Sequence, residues 1–357
     1  MKNILISIPT LRLNTSISTI TMMVTTITSM TAMTAIKDIP IFISMNILPM
    51  TMSICRIPIT GIGTRNEPTN AKGGRIMAPS YQPGDILRET LYEIQNVLGD
   101  TLETLTIERT VIGLFFTGVK LNNGAGGLCF TPIKTIPEAV CCPSSARAMP
   151  SSGKLKGRKV IEFVQEMFNG NPLKRTMGIA TMNALSALCW TQRPPETYGV
   201  KMGVDALDVV KIPDNAYVVV VGAIIPALRA LKQRGKPFGV LESDPLTLKE
   251  DEMKYYVPQE MVHEKVPEAD LLIITGTTLI NDTLEGLLAM RKPGAHAIVV
   301  GPTASMLPDA FFRRDVTMLG GVTVTDADRV LDMIAEAGSG YHFFGQGAER
   351  VVIEAVR

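Results

Sequence analysis

Small and polar residues follow four apolar, β-branched runs in the second half of the chain. They could bind a polar ligand, because a carboxylate accepts hydrogen bonds and threonine hydroxyls donate and accept them. Glu242 is placed like the acid that contacts a ribose in nucleotide-binding sheets, and residues 275–281 lie between a strand and a helix, where an anion can bind. The alternatives are a solvated strand end for Glu242 and ordinary helix capping for the threonines. The candidate ligand-binding residues at these strand ends are Gly222, Glu242, Asp244, Thr275, Gly276, Thr277, Thr278, Asn281, Gly301, Pro302 and Thr303.

The first of these strand ends, in the segment VVVVGAIIP, has one glycine where a dinucleotide-binding turn usually has three. Ile224 and Ile225 would crowd the place where a pyrophosphate approaches the backbone, and Pro226 lacks an N–H group. The turn therefore disfavours a dinucleotide. A smaller anionic ligand, or a nucleoside-like ligand without a diphosphate, remains open.

Asn183 is a polar residue on the apolar stripe of a predicted helix, in the segment ATMNALSAL. A buried amide needs hydrogen-bond partners. One interpretation is a core asparagine bonded to nearby backbone, and the other is a side chain that faces a cleft and contacts a ligand.

The adjacent cysteines Cys141 and Cys142 lie in a polar segment, residues 139–159, with four serines and five basic residues. Thiolates are soft metal ligands, so this pair is a candidate metal site. A zinc site would need a second pair of ligands at suitable spacing. Cys129 and Cys189 are available, but the sequence does not place them nearby. The alternative is one buried and one incidental cysteine.

No standard hydrolase signature occurs in the sequence, which lacks G-x-S-x-G, H-E-x-x-H and G-x-x-x-x-G-K-[ST]. The three histidines, His263, His296 and His342, are well separated. The sequence therefore names no catalytic residue and does not decide whether the protein is an enzyme.

The elements that must position these residues fall into two predicted domains. Residues 201–357 alternate apolar strands with helices, which predicts right-handed crossovers and a mostly parallel sheet whose ligands bind at the carboxyl ends of the strands. Residues 79–200 predict an α+β domain, in which a hairpin around NNGAGG packs with helices, one of them opened by Asn171 and Pro172. The predicted fold class is therefore α/β.

Residues 1–78 are rich in Thr, Ile, Ser and Met without a clear period. We expect this segment to be unfolded or to reflect a start codon assigned too early, with Met77 as the natural start. The other interpretation is a disordered or membrane-associated leader, although the segment is too polar for a confident membrane span and lacks a signal-peptide pattern.

Composition excludes some classes of partner. The chain carries a formal net charge of +1, and its basic excess lies in the first 77 residues. The rest of the chain has no basic excess, which argues against nucleic acid as the main partner. Five cysteines do not form a disulfide framework in a chain of 357 residues, which favours a cytoplasmic location. We expect a small-molecule ligand and no membrane association, and the sequence leaves room for a homo-oligomer.

Several motifs in the right order resemble a prokaryotic family of unknown function that is labelled as a heavy-metal chelation domain. They are NPLKRTMGIATMNALS, VVVVGAIIP, ADLLIITGTTLINDTLEGLL, AIVVGPTASMLPD and GGVTVTDADRVL, and the resemblance covers about residues 80–355. It implies an enolase N-terminal-like domain followed by a Rossmann-like domain, with a site between them. It also implies condensation or hydrolysis in making flavin-, pterin- or siderophore-like chelators.

Carried onto this sequence, the resemblance places that site at Asn183, Glu242, the loop 275–281 and residues 301–303. Three hypotheses follow. The first is a protein that makes or handles an anionic chelator, the second a direct metal-binding protein that uses Cys141 and Cys142, and the third an S-adenosylmethionine-dependent methyltransferase. The cofactor stays open between a transition metal and a nucleoside-like ligand.

Overall fold

A computed structural model describes residues 84–136, 151–192 and 198–355. The chain divides into two units, Met1–Arg75 and Ile76–Arg357, and every described residue belongs to the second. The predictions for residues 1–78 and for Cys141 and Cys142 therefore lie outside the described residues.

A small antiparallel sheet and its helices come first. Strand order in this sheet is β1-β2-β3, and the predicted hairpin joins β2 to β3. The elements are α1 (Asp85–Leu98), α2 (Thr101–Thr104), β1 (Ile107–Ile112), β2 (Phe116–Leu121), β3 (Gly126–Phe130), α3 (Val160–Glu166) and α4 (Pro172–Gln192).

Helix α4 is buried over most of its length and packs directly on β3. Its predicted start is confirmed, since the Asn171 Oδ1 accepts a hydrogen bond from the Lys174 N–H at 3.0 Å. Gly127 allows the close approach, because a Cβ atom there would lie 2.1 Å from the Ala180 carbonyl oxygen. The small sheet is thus fixed against α4 by backbone contact.

The second part of the chain forms a larger sheet with helices. Its elements are β4 (Tyr198–Met202), α5 (Ala206–Val209), β5 (Val218–Val221), α6 (Ile225–Arg234), β6 (Phe238–Leu241), β7 (Tyr256–Val257), α7 (Val262–Glu268), β8 (Leu271–Thr275), α8 (Leu284–Met290), β9 (His296–Val300), α9 (Asp309–Phe312), β10 (Val316–Val324), α10 (Ala327–Ala335), α11 (Gly340–Phe343) and β11 (Ala348–Ala355).

The larger sheet has eight described strands in the order β4-β11-β10-β9-β8-β5-β6-β7. Strands β5 to β10 run parallel to one another, whereas β11 is antiparallel to both β10 and β4. The chain begins the parallel part at β5, builds outward to β7, and then returns to add β8 on the other side. The order of strands therefore reverses between β5 and β8, which is where open parallel sheets bind ligands.

Apolar side chains join the two sheets into a shared core. One cluster of buried residues includes Val119 and Cys129 of the small sheet, Met182 of α4, and Leu272 and Leu319 of the large sheet. The opposite face of the large sheet packs in a separate cluster with Leu228 and Leu231 of α6. The protein is thus an α/β protein with a small antiparallel sheet and a larger, mostly parallel sheet, as predicted.

In the part of the chain that the structure describes, no helix is both long and apolar enough to cross a membrane.

Candidate functional site

The four polar strand ends predicted from sequence lie side by side. In the large sheet β6, β5, β8 and β9 are consecutive neighbours, and Glu242, Gly222, Thr275 and Gly301 stand at or just after their carboxyl ends. These four residues are each partly accessible to solvent. The structure therefore places them along one edge of the sheet, across the position where the strand order reverses.

Gly222 brings the ends of β5 and β8 close together. Its φ angle is 95°, in the left-handed region that favours glycine, and a Cβ atom here would lie 2.7 Å from the Thr275 Cγ2 atom. Its N–H donates to the Leu241 carbonyl oxygen at 2.8 Å. A larger residue would collide with the Thr275 side chain and would have to adopt a strained φ angle.

Glu242 is held by the backbone on both carboxylate oxygens. The Oε2 atom accepts the Ala223 N–H at 2.8 Å. The Oε1 atom accepts the Asp244 N–H at 3.2 Å and the Ser243 hydroxyl at 3.1 Å. The carboxylate is therefore fixed in place at the turn that follows β5.

Asp244 connects this edge to the small sheet. Its Oδ2 lies 2.5 Å from the Lys134 Nζ, and its Oδ1 accepts the Leu246 N–H at 3.1 Å. Hydrogen bonding to Lys134 is the largest cause that lowers the pKa of the Asp244 carboxyl. Sequence reasoning missed Lys134, which belongs to the short turn Ile133–Thr135 and lies 110 positions away from its partner.

The threonine loop after β8 is organised around Thr275. Its Oγ1 accepts the Thr277 N–H at 3.4 Å and the Thr277 hydroxyl at 3.3 Å, so its own hydroxyl hydrogen can be donated to a ligand. Thr278 is buried and donates to the Thr275 carbonyl oxygen at 2.7 Å. Asn281 is exposed, and its Oδ1 accepts the Thr283 hydroxyl at 2.7 Å.

A buried arginine that sequence reasoning missed holds this loop to α4. Arg175 donates from Nε and Nη2 to the Leu279 carbonyl oxygen, at 3.1 and 3.0 Å. The same Nη2 atom forms an ion pair with Asp282, which has a φ angle of 59°. The arginine is thus a positioning residue for the loop, and its only signal in the sequence was a charge inside an apolar helix.

Asn183 joins the small sheet to the loop after β9. Its Nδ2 lies within hydrogen-bond distance of the carbonyl oxygens of Leu128 at 2.7 Å, Pro302 at 3.1 Å and Thr303 at 3.1 Å, so its two hydrogens are shared among three acceptors. Its Oδ1 is buried and has no hydrogen-bond partner. Thr303 reinforces the junction, because its Oγ1 accepts the Phe130 N–H at 3.0 Å. In this structure the Asn183 amide bonds to backbone, the first of the two interpretations above.

Cys129 and Cys189 are free and buried. Burial raises the pKa of each thiol to about 12, so both are protonated at neutral pH. Among the residues that the structure describes, no three His, Cys, Asp or Glu side chains are grouped so that they could hold a metal ion.

The accessible groups at this edge can bind a polar ligand by hydrogen bonds. Glu242 offers a carboxylate, Thr275 a hydroxyl, and the turns at Gly222 and Gly301 an approach to the backbone. Asn183, Gly276, Thr278 and Thr303 are buried beneath them and support the loops. The fold and this edge together define an α/β protein with a polar sheet edge beside a second, smaller sheet.

Comparison with protein-family models identifies the family. Residues 95–186 match the DUF4213 model and residues 205–353 the DUF364 model, and both are described as "Putative heavy-metal chelation". An uncharacterized protein of Methanocaldococcus jannaschii is 30% identical over 185 residues, which cover 52% of this chain and 68% of that protein. The chain belongs to the family that these two models describe.

Two crystal structures of DUF364 proteins of unknown function are similar to the chain. The one from Pyrococcus horikoshii has a TM-score of 0.60 at 20% identity and covers 76% of this chain and 100% of its own. The one from Desulfitobacterium hafniense has a TM-score of 0.55 at 22% identity and covers 77% of this chain and 100% of its own. At these identities the likeness shows the fold alone.

Proposed function

We propose that this protein handles or synthesises, by condensation or hydrolysis, a small-molecule metal chelator at the edge formed by β6, β5, β8 and β9. The chelator is anionic and pterin- or flavin-like, and the heavy metal is its cargo. One observation carries the proposal: four neighbouring strand ends present Glu242, Gly222, Thr275 and Gly301 along a partly accessible edge. Family membership supplies the link to metal chelation.

The small sheet supports this location for the ligand. Lys134 forms an ion pair with Asp244, and Asn183 binds carbonyl oxygens of both β3 and the loop after β9. The ligand edge is therefore bordered by a second layer of structure, as small-molecule sites commonly are. We expect an anionic group of the chelator to bind at the Thr275 hydroxyl, because the N–H and the hydroxyl of Thr277 already donate to the Thr275 Oγ1.

The Rossmann-like and enolase-like assignments and the two-domain division at residue 200 are part of this proposal. Numbered along the chain from β5, the six parallel strands lie in the order 3-2-1-4-5-6, which doubly wound nucleotide-binding sheets also use, and this supports the first assignment. A cytoplasmic location stays a prediction, because it rests on cysteine usage.

The first experiment is native mass spectrometry of the purified full chain, with metal analysis of the same sample. A co-purified compound with the mass of a pterin- or flavin-like chelator supports the proposal. An adenosyl compound instead supports the methyltransferase alternative. Stoichiometric metal without an organic ligand supports the direct metal-binding alternative, and a Cys141→Ala/Cys142→Ala variant would then lose that metal.

A binding titration follows, with pterin-6-carboxylate as the probe. We expect Thr275→Val to weaken its binding about tenfold, which is the loss of roughly one hydrogen bond to a charged group. Thr191→Val is the matched control, because Thr191 lies exposed on α4 and its hydroxyl donates to the Leu188 carbonyl oxygen. Equal binding to both variants would contradict the proposed site.

A further inference from the structure

The turn after β5 has few backbone donors left for a ligand. In phosphate-binding turns the N–H groups between the strand and the helix point at the anion. Here the Ala223 N–H donates to the Glu242 Oε2 at 2.8 Å, and the Ile224 N–H donates to the Gly222 carbonyl oxygen at 2.8 Å. Pro226, at the second position of α6, has no N–H.

The group that takes the place of an external anion is itself an anion. Glu242 is anchored through its other oxygen by the Asp244 N–H and the Ser243 hydroxyl, which hold the carboxylate against Ala223. The Asp244 carboxylate follows two residues later and is paired with Lys134. A phosphate that reached Ala223 would therefore stand directly against the Glu242 carboxylate, and such contacts between like charges are costly.

We propose that Glu242 prevents phosphate from binding at the β5–α6 turn. This inference rests on the proposed function. It means that the ligand carries no phosphate group at the end that contacts β5. A carboxylate oxygen can accept two hydrogen bonds, and the Oε2 atom accepts one from Ala223. Its remaining lone pair selects an O–H or N–H donor. Either a sugar hydroxyl or an amino group of a heterocycle has this chemistry.

The test uses the full chain and inorganic phosphate. The Ala223 amide resonance is followed by NMR during phosphate titration, against chloride at matched ionic strength, in the wild type, Glu242→Ala and Glu242→Gln. Glu250→Ala is the matched control, because it removes an exposed carboxylate of the same part of the chain. The phosphate-induced rise in unfolding temperature is the second readout.

We expect phosphate to bind at least about tenfold more tightly to Glu242→Ala than to the wild type, with a saturable shift of the Ala223 resonance. Glu242→Gln keeps the shape and an acceptor oxygen, so it should show a smaller gain, and Glu250→Ala none. A wild-type Ala223 resonance that already responds to phosphate would overturn the inference, as would folded Glu242 variants that do not respond.

Binding of two compounds distinguishes the two kinds of donor: adenosine represents the sugar hydroxyl, and pterin represents the amino group of a heterocycle. The affinity of each compound is compared with that of its phosphorylated form. The inference predicts that the wild type binds neither phosphorylated compound more tightly than its parent compound. The phosphate titration needs no chelator. A failure of the proposed function is therefore seen in the native mass spectrum, whereas a failure of this inference is seen at Ala223.

Discussion

Asn183 shows at the scale of one residue how a polar group can join two parts of a fold. Its amide nitrogen shares two hydrogens among three carbonyl oxygens, which come from β3 and from the loop after β9. Because the side chain is buried, bulk water cannot replace the amide as the hydrogen-bond donor to these carbonyl oxygens. Asn183 therefore determines how the loop after β9 lies against the small sheet.

We expect Asn183→Asp to lower the free energy of unfolding by about 3 kcal/mol or more, since a buried carboxylate would face three carbonyl oxygens without a donor. The measurement is urea unfolding at neutral pH. The same change at exposed Asn281, whose Oδ1 acts as an acceptor, should cost less than about 0.5 kcal/mol. A similar small loss at both positions would mean that the three Asn183 contacts contribute little.

Much of the candidate site follows from sequence, residue by residue, and some of it does not. Glu242, Gly222, Thr275 and Gly301 could be predicted because each directly follows an apolar run, and parallel strands end at one edge. Lys134 and Arg175 could not, because their partners lie more than 100 positions away in the chain. Spacing patterns carry information on neighbours along the chain, whereas these two residues act through contacts between elements.

At the scale of elements, the contact between β3 and α4 depends on the absence of a side chain. A Cβ atom on Gly127 would lie 2.1 Å from the Ala180 carbonyl oxygen and 2.4 Å from the Ala184 nitrogen, both backbone atoms. A backbone contact of this kind cannot be relieved by turning a side chain. The helix or the strand must move instead.

Gly127→Ala should therefore destabilise the protein by at least about 2 kcal/mol, as overpacked core substitutions do. The comparison is Gly286→Ala in α8, where a Cβ atom meets nothing within 4 Å and the residue is exposed. That change should stabilise by up to about 1 kcal/mol through helix propensity. Thermal unfolding of both variants is the measurement. A Gly127→Ala variant with the stability of the wild type would refute the packing argument.

Helix α1 begins at a buried carboxyl group. The Glu285 Oε1 accepts the Ile86 N–H at 3.0 Å, and burial raises the pKa of Glu285. A raised pKa means that the folded state binds the proton more tightly than the unfolded state. The corresponding stability is fully present below the unfolded pKa of about 4.3 and is lost as pH rises through the folded pKa.

Glu285→Gln should accordingly be more stable than the wild type at neutral pH, because an amide oxygen accepts the same hydrogen bond without a charge to bury. The difference should shrink as the pH falls below the unfolded pKa of about 4.3, because the wild-type carboxyl then becomes protonated in both states. Urea unfolding from acid to neutral pH measures this. The same substitution at exposed Glu349 should leave the pH profile of the wild type unchanged.

At the scale of the whole molecule, one apolar cluster runs from the small sheet through α4 into the large sheet. Two parts that share a core lose it together when either unfolds. The prediction of separate domains at residues 79–200 and 201–357 does not by itself decide whether they unfold separately. The shared cluster argues for a single cooperative transition of the described part of the chain.

The only tryptophan of the chain, Trp190, lies on α4 and packs on Tyr198 with ring centroids 5.4 Å apart. We expect its fluorescence and the far-UV circular dichroism to report the same urea midpoint, as two-state unfolding requires. Different urea midpoints for the fluorescence and for the circular dichroism would instead favour domains that unfold independently.

The antiparallel end of the large sheet has a consequence for synthesis on the ribosome. Among the strands that the structure describes, β4 pairs only with β11, and Tyr198 stands opposite Ala355. On the order of 150 residues separate the two strands along the chain. At a synthesis rate of about 5–20 residues per second, β11 is therefore made roughly 8–30 s after β4. Stalled nascent chains that end before β11 should be cleaved at β4 by added protease, and longer ones should resist. Until β11 emerges, β4 is an unpaired strand that a chaperone or a neighbouring nascent chain could bind.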